Sequence, residues 1–324
     1  MGSREGGPSR GENGMLSVRN LINTPELTRD DIEQILDCAH TFEEVNSRTI
    51  KKLPTLRGRT VVNLFLEPST RTKSSFELAC KRLGADTLSV AGSSSSVVKG
   101  ESLVDTVKTL DSMGVDMYIC RAKNAGTPNI VAATSQARVV NAGDGKHAHP
   151  TQALLDLYTI RKRFGHIDGL RVGIVGDSVH SRVVGSLAPA LVKMGAEVTL
   201  VGPGPFLPAR PDVLGAKSTR DFDALLPDLD VVYMLRVQQE RMEGASIPST
   251  RDYSLLFGLD ERRAKLMAPQ AVVMHPGPIN RGVEMCSQVA DAANSLITSQ
   301  VNAGVSVRMA VIYLLLGGEG NVVA

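Results

Sequence analysis

The feature that most constrains this chain is an alternation of short apolar runs with longer segments whose apolar residues recur at helical spacing. The runs that predict strands lie at 60–66, 87–90, 117–120, 139–140, 171–175, 197–201, 231–235 and 272–274. The segments that predict helices lie at 26–50, 70–83, 103–113, 130–135, 150–164, 181–194 and 305–316. Strands that alternate with helices in this way form parallel sheets covered by helices. The pattern predicts the α/β class.

The alternation pauses at a glycine-rich segment, 141–149, and then starts again. A chain of 324 residues is long enough for two domains of ordinary size. We predict a first domain over 15–149 and a second over 150–303, each with a central parallel β-sheet flanked by helices. We expect the apolar C-terminal helix, within 304–324, to pack back on the first domain. Residues 1–14 lack an apolar core and predict a disordered tail rather than a signal peptide.

Composition excludes several classes of function. The 36 Lys and Arg residues nearly balance the 34 Asp and Glu residues, and there is no Trp, so we expect no nucleic-acid partner. We also expect no membrane partner, since no apolar run reaches the roughly 18 residues of a membrane span. The four cysteines are widely spaced and predict free thiols rather than a metal site. A cytoplasmic location is the expectation.

The segment 65–77 predicts an anion site, because it leaves a strand and opens a helix. Unpaired N–H groups and the positive end of the helix dipole meet at such a point. Arg71 and Lys73 fall in the first turn, where a cation is unfavourable by up to about 1 kcal/mol. A bound phosphate would reverse that sign. On these local grounds alone, a surface helix with solvated basic residues is the favoured interpretation.

The whole segment resembles the carbamoyl-phosphate loop of the aspartate and ornithine carbamoyltransferases. That resemblance implies that carbamoyl phosphate binds to Ser69, Thr70, Arg71 and Thr72. Further positions match the family in chain order. Arg121, at a strand end, resembles its second phosphate-binding arginine. The loop 93–101 resembles one that a neighbouring subunit inserts into the active site, with Ser95 and Lys99 as the inserted residues.

The segment 141–152 carries a His-Pro-x-Gln sequence. Pro150 restricts His149 to an extended backbone, and a position beside a helix N-terminus disfavours the imidazolium form. We therefore expect a neutral imidazole. In the matching family segment, the histidine contacts the carbonyl oxygen of carbamoyl phosphate and the glutamine contacts its amide. The resemblance implies these roles for His149 and Gln152.

The second half offers groups that suit a carboxylate ligand. Gly173 and Gly176 do not have the spacing of a dinucleotide fingerprint. The resemblance instead implies that aspartate binds to Arg182, Arg236, Gln238, Gly277, Pro278 and the inserted Lys99. A guanidinium fork meets a carboxylate with two parallel hydrogen bonds. The Gly277-Pro278 bond is the candidate for a cis peptide, although some family members carry Leu at the position of Gly277.

Both branches of the family share the phosphate loop, so only residues of the second domain distinguish them. The ornithine enzymes place a Cys in the loop that matches 275–278, and this chain has none there. The resemblance therefore implies transfer of a carbamoyl group to aspartate, in pyrimidine biosynthesis, with Arg71, Thr72, His149 and Lys99 as catalytic residues. It implies no metal and no cofactor.

The inserted loop implies a homotrimer with shared active sites. A regulatory chain or a dihydroorotase remains a possible partner. The alternatives are an ornithine-type enzyme, a nicotinamide oxidoreductase built on the two α/β units, and a silent phosphate-binding homologue.

Overall fold

The structure is a computed structural model that describes residues 16–91, 101–237 and 249–317. The predicted tail, 1–14, lies outside these residues. So do three predicted site residues, Ser95, Lys99 and Gln238.

The first sheet has four parallel strands in the order β2-β1-β3-β4. They are β1 Thr60–Phe65, β2 Asp86–Ala91, β3 Met117–Ala122 and β4 Arg138–Asp144. β4 extends further than predicted, into the glycine-rich segment. Asn141 stabilises this extension, because its side chain donates to the carbonyl of Ile22 at 3.0 Å and to the Asp144 carboxylate at 2.8 Å.

The second sheet has five parallel strands in the order β7-β6-β5-β8-β9. They are β5 Arg171–Val175, β6 Glu197–Val201, β7 Lys217–Thr219, β8 Val231–Met234 and β9 Val272–Met274. β7 was not predicted from sequence. It is an edge strand of three residues that are exposed or half-buried, so it has no apolar run to reveal it.

Helices cover both sheets, which confirms the predicted fold class. They are α1 Arg29–Ser47, α2 Thr70–Leu83, α3 Leu103–Asp111, α4 Thr127–Thr134, α5 Pro150–Phe164, α6 Val184–Lys193, α7 Phe222–Leu225, α8 Thr250–Phe257, α9 Glu261–Ala264, α10 Ser287–Ala290 and α11 Ile297–Leu315. Short 3-10 turns lie at Thr24–Glu26, Gly204–Phe206, Pro211–Leu214 and Leu226–Asp228.

Local sequence explains where the helices beside the cleft begin and end. α2 starts after Pro68 with Ser69 as its N-cap, and it ends at Gly84, whose φ of 79° lies in the left-handed region. α5 has Pro150 at its first position, where a missing N–H costs nothing. α6 starts at Val184, three residues later than predicted, because 181–183 form a turn.

The C-terminal helix packs back on the first domain, as predicted. α11 packs against α1, α2 and α5. It begins at Ile297, eight residues before the predicted apolar stretch. The apolar pattern missed these first turns because they are rich in polar residues. One of these, Gln300, is buried and bonded on both ends of its amide.

One large apolar core runs through the molecule. It joins residues of α1, α5, α6 and α11 with residues of both sheets. α5 contacts β4 of the first sheet and also packs along α6. The proposed boundary at residue 150 therefore falls at the start of a helix with contacts on both sides, and it stays a prediction.

Candidate active site

Strand order places the candidate site. In a parallel sheet, ligands bind beyond the carboxyl ends of the strands, at the point where the strand order reverses. In the first sheet this point lies between β1 and β3, and in the second it lies between β5 and β8. The segments that leave β1, β5 and β8 carry Arg71, Arg182 and Arg236, and Arg121 lies at the end of β3 itself.

A single cleft of about 660 Å³ opens where the two switch points face each other. Every predicted site residue that the structure describes lines it: Ser69, Thr70, Arg71, Thr72, Arg121, His149, Gln152, Arg182, Arg236, Gly277 and Pro278. Residues more than 200 positions apart in the chain thus share one cavity.

The first turn of α2 presents hydroxyl and guanidinium groups to the cleft. Ser69 and Thr72 line it, and among the described residues Ser69 makes no capping hydrogen bond with its side chain. Burial lowers the pKa of Arg71, and the nearby charge of Arg236 lowers it further. Lys73 does not line the cleft and lies 3.8 Å from Glu77. An anion would relieve the repulsion between the two arginines.

His149 is a buried N-cap residue of α5, and its backbone N–H donates to the Ser186 hydroxyl at 2.9 Å. Burial lowers the pKa of its imidazole well below the usual value, and the charges of Arg121, Arg182 and Arg308 lower it further. A neutral ring follows, as the sequence predicted. The cause is burial among arginines more than proximity to the helix end. Its Nδ1 has no hydrogen-bond partner within the described chain.

Glu67 links the arginines of the two sheets, a role that sequence reasoning missed. Its carboxylate accepts two hydrogen bonds from Arg182, both at 2.8 Å. Arg121 approaches the same carboxylate at 3.7 Å and donates to the carbonyl of Ala142. Glu67 directly follows the first strand run, and that position was its only signal. An anionic ligand that binds Arg182 through its fork must compete with Glu67.

The loop after β9 closes the second side of the cleft. The Gly277-Pro278 peptide bond is cis, as predicted. Gly277 has a φ of 63°, and a Cβ atom there would lie 2.2 Å from Nη1 of Arg71. Below the loop, His275 accepts from the N–H of Gly277 at 2.8 Å, and its other ring nitrogen lies 3.3 Å from buried Glu284.

Arg308 is a second cleft residue that sequence reasoning missed. It is buried on α11, donates to Ser75 at 2.9 Å and lies over the ring of Phe76. Burial lowers its pKa to about 10. Its signal was a lone cation inside a strongly apolar helix, which usually marks a buried polar contact.

Over 16–91, 101–237 and 249–317, no three His, Cys, Asp or Glu side chains gather as a metal site. All four cysteines are free, and burial raises the pKa of Cys38, Cys80 and Cys120 to about 12. No helix within the described ranges has the length and apolar character needed to span a bilayer.

Two parallel α/β sheets that share one cationic cleft define a two-domain enzyme that brings small anionic molecules together. Family models give the finer assignment. The carbamoyl-phosphate-binding domain of the aspartate and ornithine carbamoyltransferases matches residues 19–162, and their aspartate/ornithine-binding domain matches residues 168–315. The chain belongs to the aspartate/ornithine carbamoyltransferase family.

Named relatives fall in one branch of that family. The aspartate carbamoyltransferase catalytic subunit of Frankia casuarinae is 53% identical over 304 residues, which is 94% of this chain and 96% of the relative. The same subunit of Thermobifida fusca is 53% identical over 301 residues, covering 93% of this chain and 96% of its own.

Solved structures agree with the fold. The aspartate transcarbamoylase of Trypanosoma cruzi in complex with N-(phosphonacetyl)-L-aspartic acid has a TM-score of 0.83 at 30% identity, over 93% of this chain and 95% of that one. The catalytic subunit of M. jannaschii aspartate transcarbamoylase has a TM-score of 0.80 at 34% identity, over 92% of this chain and 98% of that one.

Proposed function

We propose that this chain transfers the carbamoyl group of carbamoyl phosphate to the amino group of L-aspartate, giving N-carbamoyl-L-aspartate and phosphate. The observation that carries the proposal is the convergence of Arg71, Arg121, Arg182 and Arg236 on one cleft beside a neutral His149. Two acidic substrates need several cations, and a carbonyl that gains negative charge needs donors. Relatives at about half identity that are named for this activity support the same conclusion.

A carbamoylation assay with carbamoyl phosphate and either aspartate or ornithine tests the proposal. We expect ureido product from aspartate, equal phosphate release, and no product from ornithine. Product from ornithine alone would assign the chain to the other branch of the family. Absence of product from both, in a protein whose unfolding shows a folded state, would favour a silent homologue. A shift in melting temperature with NAD would favour an oxidoreductase.

The first-sheet side of the cleft is the proposed carbamoyl-phosphate site. The phosphate takes the free N–H groups of the first turn of α2, with the hydroxyls of Ser69, Thr70 and Thr72 and the guanidinium groups of Arg71 and Arg121. The start of α5 supplies the carbamoyl contacts. His149 meets the carbonyl oxygen, and Gln152 meets the amide group.

The second-sheet side is the proposed aspartate site. Arg182 and Arg236 bind the two carboxylates, and Gln238 assists them. Backbone carbonyls near Gly277 and Pro278 accept from the amino group. Once the neutral amine lies against the carbamoyl carbon, it attacks and forms the C–N bond, and Arg71, Thr72 and His149 stabilise the oxyanion. The C–O bond to phosphate then breaks, and the departing phosphate takes the proton that the amine loses.

The energetics of this proposal need no covalent intermediate. Positioning two bound reactants supplies roughly 7–11 kcal/mol of the barrier reduction. Each preorganised oxyanion donor adds about 3–4 kcal/mol. Closure of the cleft excludes water, which would otherwise hydrolyse carbamoyl phosphate.

We propose a homotrimer in which the loop 93–101 of one subunit brings Ser95 and Lys99 to the site of its neighbour. Subunit mixing tests this. An inactive Arg71→Ala chain and an inactive Lys99→Ala chain, once exchanged, form hybrid trimers with some intact sites. Activity should return in part. A complete lack of activity after proven exchange of subunits would contradict shared active sites.

We place the reaction in UMP biosynthesis in the cytoplasm. Free thiols fit a reducing compartment. Size-exclusion chromatography with light scattering, alone and with cell extract, would show whether a regulatory chain or a dihydroorotase joins the trimer.

A further inference from the structure

A fully buried carboxylate lies beneath the cleft without lining it. Asp156 is one helical turn after Gln152 on α5 and has no exposed surface. Its Oδ1 accepts from the amides of Gln152 at 3.0 Å and Gln300 at 2.7 Å. Its Oδ2 accepts from the hydroxyl of Tyr233 at 2.7 Å. The carboxylate thereby connects α5, α11 and β8.

A fully buried carboxylate makes an unfavourable contribution to the free energy of folding if its role is purely structural. Burying a carboxylate costs free energy, and well-packed apolar residues of similar volume are often at least as stable. Burial raises the pKa of Asp156 to about 7, although three hydrogen bonds and the charge of Arg308 oppose that change. Buried groups held against such a cost are found at functional sites.

The contact with Gln152 has a definite chemical consequence. A carboxamide has a donor end and an acceptor end. Oδ1 of Asp156 accepts from the amides of both glutamines, so a proton on this carboxyl would lie on Oδ2, and Oδ1 accepts in either ionisation state. Asp156 therefore holds the Nε2 end of the Gln152 carboxamide, and Oε1 is the opposite end. Gln152 itself lines the cleft. The –NH₂ group of a carbamoyl phosphate only donates. A flipped Gln152 would set two donors against each other.

We propose that Asp156 is a positioning residue, which fixes the carboxamide of Gln152 so that Oε1 accepts from the carbamoyl amide. This inference rests on the proposed function. The same carboxylate holds Gln300, whose Oε1 accepts from the N–H of His275 at 3.0 Å, at the root of the Gly277 loop. One buried group thus aligns parts of both sides of the cleft.

A double-mutant cycle tests the inference, with kcat and the KM for carbamoyl phosphate and aspartate measured for Asp156→Ala, Gln152→Ala and the double variant. We expect Asp156→Ala to lower kcat by about a hundredfold, since misplacing a reacting contact costs that much. In the Gln152→Ala background, the same change should have little further effect on kcat. Losses that multiply would overturn the inference, because they would show that Asp156 acts independently of Gln152.

Three variants control for folding. Asp156→Asn retains an oxygen that accepts from both glutamines, so it should restore most of the lost kcat. Tyr233→Phe removes the hydroxyl that bonds Oδ2 and also contacts Gln152, but Oδ1 still accepts from both glutamine amides, so kcat should stay near that of the wild type. If Asp156→Ala fails to fold, Asp156→Leu takes its place in the cycle, because leucine fills the space of the aspartate without providing a hydrogen-bond acceptor. A wild-type protein without activity on aspartate would refute the proposed function itself, whereas an active wild type with multiplying losses would refute only the role of Asp156.

Discussion

Two cations occupy the first turn of α2, and the structure gives them different surroundings. Arg71 lines the cleft near Arg236, whereas Lys73 lies beside Glu77 away from it. Sequence placed both in an unfavourable position at the positive end of the helix dipole. Only the tertiary arrangement shows which one an anion would meet.

Replacement of Arg71 should therefore affect catalysis far more than replacement of Lys73. We expect Arg71→Ala to lower kcat/KM for carbamoyl phosphate by about 10²–10³-fold, the usual effect of losing one oxyanion donor. Lys73→Ala, which removes a cation from the same helical turn, should keep most of the activity. Steady-state assays of the two variants check this, and equal losses would contradict the assignment of Arg71.

Gly277 is a cleft residue at which an added methyl group would meet a predicted catalytic side chain. Its φ of 63° strains any other residue, and an added Cβ would lie 2.2 Å from Nη1 of Arg71. Gly282 makes a matched control, since its φ is 84° but nothing lies within 4 Å of the corresponding position.

We expect Gly277→Ala to lower kcat by displacing the Arg71 guanidinium, and Gly282→Ala to cost similar stability while keeping kcat. Parallel assays and denaturant unfolding of the two variants separate strain from displacement. If both variants keep wild-type kcat, the close approach of Gly277 to Arg71 does not affect catalysis.

At the scale of elements, two helix starts show the difference between a structural and a functional N-cap. At the start of α1, Thr28 and Asp31 form a capping box, with the Thr28 hydroxyl accepting from the Asp31 N–H at 3.0 Å. At the start of α2, Ser69 is an N-cap residue that lines the cleft and makes no capping bond with its side chain within the described residues.

Thr28→Ala should lower the free energy of unfolding by about 1 kcal/mol and leave activity unchanged. Thr28→Ser, which keeps the hydroxyl, should restore it. Ser69→Ala should do the reverse, with lower activity and little change in stability. Chemical denaturation and the carbamoylation assay together test this. A large loss of stability in Ser69→Ala would show that its hydroxyl has a structural role.

Elements with strong local signals were predicted from sequence, and elements without them were not. α5 runs from Pro150 to Phe164 as predicted, because a proline opens it and Gly165 closes it. β7 lacked such signals because it is short and exposed. The start of α8 does carry one, since the N-cap Ser249 accepts from the N–H of Asp252, and sequence analysis overlooked it. The early turns of α11 include buried Gln300, whose amide donates to the carboxylate of distant Asp156.

At the scale of the whole molecule, the buried carboxylate of Asp156 makes stability depend on pH. Burial raises its pKa from 3.8 to about 7, so the folded protein holds this proton more tightly than the unfolded chain. The free energy of unfolding then falls as pH rises between these two values. Above them, the contribution of Asp156 no longer changes with pH.

Asp156→Asn removes that titration. The free energy of unfolding of the wild type, minus that of the variant, should therefore decrease as pH rises from about 4 to about 7 and level off above pH 7. Denaturant unfolding of both proteins at closely spaced pH values measures this difference. A difference that grows with pH over the same window would mean that the carboxylate is better stabilised in the folded protein than burial allows.

The sequence by itself determined the α/β class, the approximate positions of every described strand except β7 and of the longest helices, and the types of residue in the candidate site. Those properties follow from side-chain periodicity and from caps, which act over a few neighbouring residues. The tertiary structure decided which charges meet. The pairing of Glu67 with Arg182, the repulsion between Arg71 and Arg236, and the burial of Asp156 and Arg308 each join residues far apart in the chain. Such contacts depend on strand order and on the facing of two sheets, and no local pattern encodes them.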